Sequence, residues 1–204
     1  MTGTQVAVLS SAQTEALSAQ QVAAITTANI RVLTTEALSA LDSTQIAALT
    51  TAQANALTTA QVANLSTEQL QAIETADLAA MSAAQVVSMG ATLAAALTTD
   101  QVQALTTAQA AALTTAQVVA LSTEQVANLE TADLRAMSST QFTALTSDQV
   151  VSLTASQVAA LETLDLRALN TDGIAAMGTD RIAALTASQA AALTNAQVQA
   201  LTDT

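Results

Sequence analysis

The sequence predicts an all-α solenoid of very short helices, one for each octapeptide repeat. Three observations predict it. A large apolar residue returns at every eighth position from Met1 to Leu201, without insertion or deletion along the 204 residues. Each typical octad carries a full set of helix-start residues. The charges are distributed within the octad as the dipole of a short helix prefers.

The apolar row opens Met1, Leu9, Leu17, Ile25, Leu33 and closes Met177, Leu185, Leu193, Leu201, with no polar residue between. Counted from this row, the consensus octad reads Leu, Thr, Thr, Ala, Gln, Val, any residue, Ala, as in the stretch LTTAQVVALSTEQVANL from Leu113 to Leu129. A hydroxyl at the second position with Gln three residues on, as in Thr114 and Gln117 or Ser122 and Gln125, is a capping box. The hydroxyl accepts from the Gln amide, and the Gln side chain reaches back to the amide of the capping residue. Leu113 before the cap and Val118 at the fourth helical position are placed for a hydrophobic staple. A new start every eight residues leaves about six helical residues, roughly 9 Å. One long helix would rotate the Leu row by about 80° per repeat, and its paired hydroxyls would weaken the helix interior.

Of the sixteen acidic residues, only Glu15 lies outside the second to fifth positions. Arg31, Arg135 and Arg167 lie at the seventh position, with Arg181 the exception. Acid in the first turn and base in the last each contribute about 0.3 to 1 kcal/mol. A β-solenoid is the alternative architecture. Its strands would send the Leu row and the Val row, five residues apart, to opposite faces. The four Gly and the absence of Pro also leave it without the usual turn residues.

Helices this short do not stand alone, so the array must be stabilised by stacking. The eighth position is mostly Ala, otherwise small residues such as Val32, Asn64, Ser88 and Asn128, which allows close approach. The Leu row and the sixth-position Val row fill the predicted core, and the array should fray from its ends. No linker or shift of composition interrupts it, so residues 1–204 read as a single continuous solenoid. The Glu-Thr-x-Asp-Leu units at Glu74, Glu130 and Glu162, spaced 56 and 32 residues apart, give no single super-period. The number of octads per turn is therefore open.

Composition excludes several functions. Without Cys there is neither a disulfide nor a thiolate metal site. Lys is absent and the net charge of -12 repels phosphate backbones and anionic lipid, so no nucleic-acid partner is expected. No apolar run reaches about 18 residues, so no membrane insertion is expected, and MTGTQVAVL is not a secretory signal. Catalysis is not expected either: there is no His, Cys, Lys, Tyr or Trp, and nothing activates the many hydroxyls. No catalytic, cofactor-binding or metal residue is assigned, and no cofactor.

Four departures from the consensus stand out. IETADLAAM (73–81), LETADLRAM (129–137) and LETLDLRAL (161–169) put Glu at the cap and Asp at the Gln position. They read as variant helix starts with acids on the dipole rather than as acid-base pairs or Ca²⁺ ligands, because a third ligand and a Gly-rich loop are missing. NTDGIAAMGTDRI (170–182) holds two of the four Gly and predicts a kink or local flexibility. MGATLAAAL (89–97) has lost both cap hydroxyl and Gln and predicts a weak unit. Phe142 replaces Val in the core row.

LSTEQVANL and LTTAQVVAL resemble, over one helix, the opening helix of the repeats of transcription-activator-like effectors. Over the whole chain, the Leu-Thr-Thr-x-Gln-Val octads resemble the octapeptide arrays of large bacterial secreted or surface proteins. That resemblance implies an extracellular or cell-surface spacer or scaffold, exported without an amino-terminal signal. The chain starts in phase at Met1 and ends in phase at LTDT with no polar capping unit. This is consistent with a piece of a longer array, or with ends that associate with one another head to tail into a filament. The expected function is a non-enzymatic structural scaffold. The alternative is a binding module for a protein, ice or ordered water that uses exposed Thr rows such as Thr107, Thr115 and Thr123.

Overall fold

A computed structural model of the chain describes residues 1–202; Asp203, assigned above to the acidic positions, lies outside them. Among the described residues there are 25 helices of four to eight residues and no strand, from Gly3–Ala7 to Asn195–Thr202, one per octad. The β-solenoid alternative is thereby removed.

The helix boundaries follow from the predicted chemistry. In a typical octad the second-position residue is extended and its side chain accepts from the amide three residues on, as Thr114 does at φ -70°, ψ 157°. The helix stops at the next Leu, which also turns extended, as Leu121 does at φ -61°, ψ 139°. Two extended residues, Leu and Thr, thus join successive helices. No left-handed residue is needed, which explains how the chain manages with four Gly. The single positive φ among the described residues is Gly90 at 65°, where Met89 remains helical and the cap hydroxyl is missing.

The chain divides into two compact units, Met1–Ala104 and Leu105–Thr204. Within each unit a helix packs against the third helix on. In the first unit Thr51–Ala56 meets Thr75–Ala80; in the second Thr107–Ala112 meets Thr131–Ala136. Side-chain hydrogen bonds between turns recur at 28 and 31 residues, so one turn takes about three and a half octads. Helices of one turn therefore lie over the junctions of the turn before.

The octad presents its first, fifth and sixth positions to the interior. Leu113 is 3% exposed, Gln117 and Val118 0%, while Thr114, Thr115, Ala116 and Val119 face solvent. Phe142 is fully buried, as expected. The segment 170–182 is not kinked: Thr171–Ala175 and Thr179–Ala183 keep the octad register. Gly173 is there for space, since a Cβ at that position would come within 2.6 Å of Val150 Cβ.

Candidate functional site

The fifth position carries the side chain that builds the fold and defines its two ends. Gln157 shows the arrangement. Its Oε1 accepts from Thr154 N at 2.8 Å while its own amide donates to Thr154 Oγ1 at 3.2 Å, completing the capping box. The same side chain then turns its Nε2 to the previous turn and donates to Val126 O at 3.0 Å, Ala127 O at 3.2 Å and Leu129 O at 2.8 Å. These carbonyls close one helix and begin the step to the next: Val126 O also accepts from Leu129 N at 3.2 Å, whereas Leu129 O lies in the extended step where the helix offers it no amide. One carboxamide therefore caps the start of its own helix and the end of another. Gln69 and Gln101 in the first unit, and Gln141, Gln149 and Gln189 in the second, repeat the bonds.

The cross-turn bond was not read from the sequence, although a signal was present. Glu serves a capping box as well as Gln, yet no Glu occupies a fifth position in this acidic chain. Only the amide supplies the donor that the buried carbonyls require. Three exceptions follow the same need. Asn29 Nδ2 donates to Met1 O at 2.8 Å, again 28 residues back. Arg181, out of place among the seventh-position arginines, occupies a fifth position and donates Nε to Leu153 O. Where Gly173 has no side chain, Asn170 accepts from Gly173 N at 2.7 Å and donates Nδ2 to Leu145 O at 2.9 Å.

Asp77, Asp133 and Asp165 occupy the same slot with acceptors only, and each is buried. Thr51 Oγ1 donates to Asp77 Oδ1 at 2.6 Å, and Ser139 Oγ to Asp165 Oδ1 at 2.9 Å. Asp133 Oδ2 is buried with no hydrogen-bond partner. Burial first and the nearby Glu130 second push the Asp133 carboxyl up to about 6. Burial, opposed by the Ser139 bond, raises Asp165 as well. Glu74, Glu130 and Glu162 are exposed and make no cap hydrogen bond. Each of these octads is a helix start with the Asp in its first turn, as expected; the structure adds that the Glu side chain makes no cap hydrogen bond and that the Asp is buried. Among the described residues no three His, Cys, Asp or Glu come together as a metal site requires. Thr107, Thr115 and Thr123 are exposed, as the alternative binding surface would need.

The two ends differ in kind. In the first turn Gln5, Gln13 and Gln21 keep their capping boxes but are exposed, and no Nε2 bond to a described residue joins them. In the last turn Ala190 and Val198 of the sixth row are exposed and Ile182 half-buried, where Val118, Val126 and Val158 are fully covered. The fifth row therefore faces the turn before, and the sixth row the turn after. No side chain of the described residues donates to Leu185 O or Leu193 O, the counterparts of Leu129 O and Leu161 O. An apolar hollow of about 250 Å³ lies at the first end, lined by Met1, Val6, Leu17, Gln21, Ala24 and Ile25. One of about 400 Å³ at the other is lined in part by Ala175, Met177, Ile182 and Leu201.

Short capped helices wound in register, with one side-chain bond repeated from turn to turn, define a helical solenoid of tandem octapeptide repeats. The profile of the ALTTAQ repeat matches six times, at residues 20–51, 38–67, 70–107, 103–129, 126–163 and 158–195. The chain belongs to the ALTTAQ repeat family. No curated protein matches it. Among the described residues no helix is long and apolar enough to cross a membrane.

Proposed function

We propose that the chain is a non-enzymatic structural scaffold or spacer whose copies associate head to tail. One observation carries this reading: inside each unit one side-chain bond, from a fifth-row Gln to carbonyls 28 and 31 residues back, joins a turn to the one before it, a contact that a further turn of the same repeat can make again. Among the described residues, Gln5, Gln13 and Gln21 make no cross-turn bond, and no side chain donates to Leu185 O or Leu193 O. A contact of one end with the opposite end is heterologous, so it leaves a free head and a free tail on each growing assembly unless a ring closes. The likeness of its octads to arrays of large bacterial secreted or surface proteins supports an extracellular location.

Sedimentation velocity of the 204-residue chain across a wide concentration range tests the association. The expected result is a sedimentation coefficient that climbs with concentration, with elongated particles in negative stain. A single monomeric species at every concentration would overturn the head-to-tail part.

A further inference from the structure

In a Gln octad the carbonyl 28 residues back is held by an amide, as Leu129 O is by Gln157 and Leu161 O by Gln189, both at 2.8 Å. The corresponding carbonyls of the acidic slots in the second unit are Leu105 O for Asp133 and Met137 O for Asp165. Both residues are buried, and among the described residues nothing donates to either oxygen. Acceptor therefore stands opposite acceptor. The aspartyl side chain is one methylene shorter than Gln, but Asn29 shows that this length suffices. At a fifth position, its Nδ2 donates to Met1 O at 2.8 Å, again 28 residues back. A protonated Asp has the shape of Asn, with an O–H in place of an N–H.

We propose that Asp133 is a proton-operated clasp between turns of the second unit: in acid its carboxyl takes a proton from solvent and donates it to Leu105 O, as Gln157 donates to Leu129 O, and at neutral pH the clasp is open. Asp165 forms a second clasp with Met137 O. Neither depends on the head-to-tail reading.

The surroundings of both carboxyls favour the proton. Asp133 is 2% exposed and its Oδ2 has no partner. The helices packed against its own, Thr107–Ala112 and Ala155–Ala160, carry no charged residue. Its own octad adds Glu130, which opposes a second negative charge, and Arg135, which is exposed at the seventh position. Burial first and Glu130 second raise the carboxyl from 3.8 to about 6. Around Asp165, Ser139–Ala144 and Ala187–Ala192 bring no charge, and Glu162 and Arg167 repeat Glu130 and Arg135. Burial raises Asp165 too, against the Ser139 bond, which takes Oδ1 and leaves the other oxygen to carry the proton. The folded Asp133 carboxyl binds its proton more tightly than the unfolded one. Its clasp is therefore complete below about pH 4 and lost as pH rises through about 6.

Triple-resonance NMR of the 204-residue chain between about pH 8 and 4 reads both sides of the clasp. The expected result is an Asp133 side-chain carbon that titrates near 6, with the Leu105 carbonyl carbon moving downfield at the same midpoint. The Leu129 carbonyl, already held by Gln157, should stay where it is. Exchange protection of the amides in Thr107–Ala112, corrected for intrinsic rates, should rise about tenfold over the same range, as one hydrogen bond gained implies. Asp133→Asn, a donor at every pH, should keep that protection high throughout and flatten the Leu105 profile. A Leu105 carbonyl that does not respond while Asp133 titrates would overturn the clasp. So would an Asp133 midpoint near 4, or an Asp133→Asn chain in which the protection of Thr107–Ala112 still follows pH.

Discussion

The octads of Gln157 and Asp133 are packed against each other in the second unit, through helices Ala155–Ala160 and Thr131–Ala136. Both helices have six residues and fill their interior with an apolar sixth position, Val158 or Leu134, that is fully covered. They differ at the fifth position. Gln157 spends its acceptor on its own cap and its donor on three carbonyls of the previous turn. Asp133 brings a carboxyl into the equivalent buried place and leaves Oδ2 without a partner. The helix forms all the same, because six residues in register with an apolar face suffice once neighbours pack. The comparison teaches that the slot is selective for hydrogen-bond polarity rather than for helix formation.

The largest expected effect comes from making the first octad resemble the second. Gln157→Glu keeps the cap but buries a carboxylate against carbonyl oxygens, and should cost about 3 kcal/mol at pH 7. The same exchange in the exposed first turn, Gln13→Glu, should cost less than about 0.5 kcal/mol. Urea unfolding of the two variants decides; equal losses would mean that the cross-turn bond carries little stability.

The converse change, Asp133→Asn, should stabilise the chain at pH 7. The folded carboxyl, raised from 3.8 to about 6, binds its proton more tightly than the unfolded one. Its contribution is therefore complete below about pH 4 and is lost as pH rises through about 6. At about 1.4 kcal/mol per unit the shift sets an upper bound near 3 kcal/mol, which solvent screening reduces to about 1–2. Unfolding measured from pH 4 to 8 should show a fall for the native chain that is shallower for Asp133→Asn; parallel curves would refute the assignment.

A smaller effect than that of Asp133→Asn belongs to an acid that has found a donor. Ser139→Ala removes the 2.9 Å bond to Asp165 and should cost about 1 kcal/mol. Ser139 lowers the Asp165 carboxyl against the effect of burial, so its loss should move that titration further up, followed by carboxyl carbon chemical shifts. An unmoved titration would mean that the hydroxyl does not bear on the acid.

Much of this architecture is legible in the sequence because its causes are local. Thr114 and Gln117, or Ser122 and Gln125, lie within one helical turn of each other, so the capping box needs no tertiary knowledge. The same holds for the Leu and Val rows and for Phe142, whose burial follows from period alone. The Glu-Asp octads are half legible: the pattern marks them as helix starts with an acid in the first turn, which they are, but not that Asp77, Asp133 and Asp165 are buried. The glycines misled for a related reason, since the steric demand at Gly173 comes from Val150, 23 residues away.

The sequence by itself determined that the chain breaks into short capped helices, where each starts, and which rows are apolar. Those are hydrogen bonds and staples between residues at most five apart. Only the tertiary structure decided the three and a half octads per turn, and with it the second bond of each Gln, the use of Arg181 and Asn170 as substitutes, and the unlike faces of the two ends. The reason is that backbone carbonyls are the same in every residue and leave no mark in a sequence. Which of them lack a partner, and which side chain comes within 3 Å of them, depends on how the turns are stacked.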